Sequence, residues 1–82
     1  MDEYTTMREL GKSFGATSHQ VGKWLVECGL RTIDKIPSHR AFDEGLVIKA
    51  PLDHGGYFWM WHLKRTIAAL ESAGHERKNS SL

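Results

Sequence analysis

Two helix-start signatures lie on either side of Gly15 in the chain around Met7–Val26, MRELGKSFGATSHQVGKWLV. The first is Thr6-Met7-Arg8-Glu9 and the second is Thr17-Ser18-His19-Gln20. In this spacing a Thr hydroxyl caps the N–H three residues on, and a Glu or Gln reaches back to the Thr N–H. A helix starting at Thr6 must therefore end before the one starting at Thr17. Gly15 lies at the required end, where glycine takes a left-handed conformation without steric cost. The apolar spacing agrees. Met7, Leu10 and Phe14 share one face of the first helix, and Val21, Trp24, Leu25 and Cys28 share the inward face of the second. Two short helices joined by a tight turn form the pattern of a helix-turn-helix. Gly11 weakens the first helix by about 1 kcal/mol relative to alanine. Its presence, with small Ala16 nearby, predicts a close helix approach.

The second helix is expected to run from about Ser18 to Cys28, with Gly29 past its end. His19, Gly22, Lys23, Val26 and Glu27 face outward. Apolar Val26 on that side predicts a further element packed over the C-terminal half. Before the first helix, Met1–Tyr4 reads as an acidic lead-in. Leu30–Pro37 reads as extended or irregular, because Ile36 precedes a proline and is pushed out of the helical region. Ser38 caps a short helix, His39 to Glu44, closed by Gly45. Leu46–Ala50 and Tyr57–Trp61 are strand-like and flank a turn at Pro51–Gly56, which makes a hairpin. Leu63, Ile67 and Leu70 return to helical spacing, with Gly74 as terminator.

The expected fold is therefore α+β and of small winged-helix type. It has a helix-turn-helix, a short third helix, a two-stranded β-hairpin wing and a C-terminal helix. Residues 1–74 form one domain, and 75–82, HERKNSSL, form a flexible polar tail.

A chain of 82 residues makes one domain and buries about 60–65% of its unfolded surface. With 40% apolar and 26% charged residues, the composition is that of a globule and not of a disordered chain. A single cysteine excludes an internal disulfide and suits a reducing cytoplasm. The first ten residues have neither a basic start nor an apolar core, so no signal peptide is expected. No apolar run approaches the ~20 residues of a membrane span. The net charge of +1 neither requires nor excludes a nucleic-acid partner, since charge placement decides that.

A helix-turn-helix presents its second helix to double-stranded DNA. Thr17, Ser18, His19, Gln20 and Lys23 would then face the major groove. Gln bonds adenine bidentately, Ser and Thr take base edges or phosphate, and Lys takes guanine or phosphate. Gly22 would allow close backbone approach. Arg31, Lys35 and Arg40 follow within reach of phosphates, Lys49 lies on the wing strand and His54 near its tip. The alternative is a protein-interaction module that meets a partner, or itself as a homodimer, through the aromatic strand 57–61. Tyr57, Trp59 and Trp61 share one strand face, and Phe58, Met60 and His62 the other. Helices could cover both faces, or one could serve as a docking surface.

His19, Cys28, His39, His54, His62 and His75 show no zinc-ligand spacing, so no metal and no cofactor are expected. Asp53-His54 beside Gly-Gly reads as turn chemistry. No motif places a nucleophile, and so short a domain has little room for a cleft. Neither enzyme activity nor a small-molecule substrate is expected.

The chain resembles the winged-helix module at the C-terminal end of phage antirepressors, the KilA-C-like family. The likeness spans roughly Tyr4 to Gly74. It rests on the helix-turn-helix with Trp24-Leu25 and Gly29-Leu30, then Pro37, the Ala41 to Gly45 short helix, a glycine-containing hairpin and a final helix. The resemblance implies DNA binding or a regulatory contact in a phage or mobile-element setting, and transfers no catalytic residue. The second strand, YFWMW, is unusually aromatic for that family.

Overall fold

The computed structural model describes residues 3–77 of the chain. Its elements are β1 (Tyr4–Thr5), α1 (Met7–Phe14), α2 (Ser18–Glu27), α3 (His39–Asp43), β2 (Val47–Pro51), β3 (Tyr57–His62) and α4 (Leu63–Ser72). Four helices thus accompany a 3-stranded antiparallel sheet of order β1-β3-β2, a small α+β arrangement.

Both helix starts form where the spacing placed them. Thr6 accepts the Glu9 N–H at 3.2 Å. The Glu9 carboxylate does not reach back as expected; it takes the Lys12 ammonium at 3.2 Å. At α2 the box is complete. The Thr17 hydroxyl accepts the Gln20 N–H at 3.1 Å, and Gln20 Oε1 accepts the Thr17 N–H at 2.9 Å. Between them Gly15 adopts φ 65 and ψ 34, and Ala16 donates its N–H to the Gly11 carbonyl at 2.8 Å. A Cβ on Gly11 would run into the Ala16 carbonyl oxygen. The glycine therefore sets how closely the turn folds back on α1.

Leu10, Val21, Leu25, Leu30 and Leu70 are fully buried and meet Trp61, Leu46 and Val47 from the sheet side. Trp24 is half-buried at the edge of this cluster. It stands edge-on to Phe14 with ring centroids 5.8 Å apart and stacks on His75 at 4.1 Å. The His75 N–H also donates to the Leu70 carbonyl at 3.0 Å. Gly74, at φ 100, turns His75, the first residue of the expected tail, back onto α2. Residues 78–82 of that tail lie outside the described residues.

The expected hairpin forms from β2 and β3, and a third strand, β1, joins it on the other side of β3. Tyr4 and Thr5 do not form a lead-in but pair antiparallel with His62 and Trp61. The Tyr4 hydroxyl donates to the Gly45 carbonyl at 3.2 Å, and the Leu63 N–H donates to the Glu3 carbonyl at 2.8 Å. These contacts make β3 the central strand. Burial then changes along β3 and not only between its faces. Trp61, flanked by strands on both sides, and His62, paired with Tyr4 and donating its N–H to the Leu46 carbonyl, are 1% and 7% exposed, whereas Tyr57 near the tip is 50% exposed. The base of the hairpin belongs to the core on both faces, and its tip projects.

Candidate nucleic-acid interface

The outward side of α2 begins with Thr17, Ser18, His19 and Gln20, all exposed, and continues through exposed Lys23. Beside it runs the loop 32–36. An isolated bridge between Arg31 and Pro37 closes this loop. Within it, the Thr32 N–H donates to the Ile36 carbonyl at 2.8 Å and the Lys35 N–H to the Thr32 carbonyl at 3.0 Å. Loop and helix enclose a depression of about 350 Å³. Ser18, His19, Lys23 and Val26 line it from α2, and Arg31, Thr32, Ile33 and Lys35 from the loop. No carboxylate lines it. The loop is the further element that half-buried Val26 called for.

Arg31 crosses over α2 at Gly22. A Cβ on Gly22 would lie 2.5 Å from Arg31 Nη1. Gly22 is buried, so its predicted role in close DNA approach is corrected: the space beside it holds a guanidinium. Burial holds the Arg31 pKa below its ordinary value, because leaving water disfavours the charged form.

Lys35 is the one non-glycine with positive φ among the described residues, at φ 68. A left-handed lysine costs roughly 1 kcal/mol. Asn tolerates that conformation far better. Lys35→Asn is therefore expected to raise stability by up to about 1 kcal/mol and to weaken nucleic-acid binding. Thermal melts and a duplex titration on the same sample check both. A variant that loses stability would show that the lysine side chain holds the loop.

The other expected contacts lie elsewhere. Gln20 Oε1 is engaged in the α2 cap, so bidentate adenine reading would require that box to open. Arg40 joins the C-terminal end of α2, away from Ser18 and His19. It donates to Glu44 Oε2 at 2.7 Å and to the Cys28 carbonyl at 3.3 Å. The Glu44 hydrogen bond first, and its charge second, raise the Arg40 pKa. Lys49 sits on the hairpin, 4.0 Å from the Tyr57 ring centroid and 5.6 Å from that of Trp59. His54 is exposed in the turn between β2 and β3. The structure thus gathers Ser18, His19, Lys23, Arg31 and Lys35. It keeps Arg40, Lys49 and His54 apart from them.

No family model, curated protein or solved structure matches this chain.

Ile33, at 85% exposure the most exposed large apolar side chain among the described residues, lines the candidate site and was missed by sequence reasoning. It lies at the loop tip between Thr32 and Lys35. Nothing in its neighbours distinguishes it from a buried loop isoleucine. Among the described residues, no three His, Cys, Asp or Glu side chains gather as metal ligands. No described helix is long and apolar enough to cross a membrane.

Proposed function

We propose that this protein is a small double-stranded-DNA-binding regulator of winged-helix type. The acid-free depression that joins Ser18, His19, Lys23, Arg31 and Lys35 carries this reading. The α2 helix, about 15 Å long, would enter the major groove, which is roughly 12 Å wide. Lys23, His19 and Ser18 would face base edges, while Thr17 and Gln20 hold the helix start. Arg31 and Lys35 would take phosphates, which positions the helix without reading sequence. The β2–β3 hairpin would act as the wing, with Lys49 and His54 toward the flanking backbone. One recognition helix covers one half-site, so a homodimer on a two-fold site fits this geometry. The likeness to the KilA-C-like module supports a cytoplasmic, antirepressor-like regulator of phage or mobile-element origin, without enzyme activity.

Fluorescence anisotropy on a labelled duplex between low and physiological salt tests the proposal. Two to four phosphate contacts predict a log–log salt slope of roughly −2 to −4. Lys23→Ala is expected to lower affinity and to reduce that slope by about 1, with an unchanged melting temperature. Absence of binding at low salt, or a flat salt response, contradicts it.

One observation favours a protein partner instead. Half-exposed Phe42 and Tyr57 both stand edge-on to Trp59, with centroids 5.4 Å apart in each pair. Such a patch resembles the aromatic centre of an interface. Concentration-dependent sedimentation abolished by Tyr57→Ser, together with no response to DNA, would decide for this second reading.

A further inference from the structure

A second depression, of about 310 Å³, adjoins the first on the side of the sheet. This is the low end of small-ligand pockets, roughly 300–1,000 Å³, and it corrects the expectation that so short a domain has little room for a cleft. Its walls are apolar: Met7, Pro37, Phe58, Trp59 and Trp61. Arg8, Arg31 and Lys35 supply its charge, and no acid lines it. Among the described residues none of these three cations has an ion pair. Cations set against an apolar wall without a counter-charge focus a positive potential into the cleft. Arg31 is already half withdrawn from water, so a bound anion would restore what its burial removes.

The remaining polar side chains at the wall are the hydroxyls of Thr6 and Ser18, and that of Thr6 already accepts the Glu9 N–H. Arg8, Arg31 and Lys35 can only donate, so the N–H groups of a nucleobase placed here would find few acceptors in exchange for water, a penalty a hydrocarbon ring avoids. We propose that the cleft binds a small aromatic carboxylate. The ring lies against Trp59 and Trp61, which share one strand face, and the carboxylate meets the Arg31 guanidinium, whose planar fork matches a carboxylate. Arg8 and Lys35 add charge from the rim. The proposal goes beyond DNA binding and does not rest on it.

The test is an NMR titration of the full chain with cinnamate and with its neutral counterpart, cinnamyl alcohol, without DNA. Cinnamate is expected to shift the indole N–H signals of Trp59 and Trp61 and to leave that of Trp24 in place. It should bind about tenfold more tightly than the alcohol, as a charge-assisted hydrogen bond implies. Arg31→Gln should remove that advantage and leave the alcohol's affinity unchanged. Because Arg31 also covers Gly22, the exposed-site variant Arg8→Gln provides a second reading that cannot reflect misfolding; it should reduce the advantage in part. Equal affinity for the two compounds, shifts at Trp24 instead, or no saturable shift with cinnamate would overturn the proposal. Failure of duplex binding leaves each of these results unaffected.

Discussion

Trp61→Ala is expected to cost about 3–5 kcal/mol and to lower the melting temperature by at least about 12 °C. Trp61 is 1% exposed, sits on the central strand and is paired with Thr5 on one side and Val47 on the other. Its removal opens a cavity where helices and sheet meet, and neighbours held in regular structure collapse into it only partly. A chain of this size has a total stability of only roughly 4–12 kcal/mol, so a large share is lost. Trp59→Ala, two residues along the same face but half-buried, should cost less than half as much. Thermal unfolding followed by circular dichroism makes the comparison. Equal losses would mean that the hairpin is buried along its whole length.

Gly11→Ala should destabilise although alanine is the better helix former. Propensity alone favours alanine by about 1 kcal/mol. The new Cβ, however, would run into the Ala16 carbonyl oxygen, and the turn backbone has no side-chain torsion with which to retreat. Overpacking of this kind costs about 1–3 kcal/mol, which outweighs the gain. Gly22→Ala on the next helix should have the opposite sign. There the Cβ meets the far end of Arg31, which can swing away, and up to about 1 kcal/mol of helix propensity is gained. Chemical denaturation of both variants measures the pair. Stabilisation by Gly11→Ala would mean that the helices do not approach at this turn.

These glycines also mark what could be read from the chain. The α1–α2 unit was legible because its determinants are local: two caps, one left-handed glycine and apolar residues at helical spacing. Gly11 followed from the same local geometry. Gly22 did not, because the group that covers it comes from Arg31, nine residues on and across a turn. Strand β1 was missed for a similar reason. Two residues carry no periodicity, and Tyr4 and Thr5 become a strand only because His62 and Trp61 offer an open edge. The aromatic run 57–61 showed that a strand was present. Its burial gradient depends on where β1 ends, which no local pattern encodes. At the candidate interface, the outward placing of Lys23 on α2 was legible from helical phase. Arg40 was misplaced because its hydrogen bonds to Glu44 and the Cys28 carbonyl draw it to the other end of α2.

The most direct test of α2 as the DNA-facing element is an amide chemical-shift titration with a short duplex at low salt. Shifts gathered on Ser18, His19, Lys23, Arg31 and Lys35, fading as salt is raised, are the expected result. Shifts confined to Phe42 and Tyr57, or none at all, would contradict it.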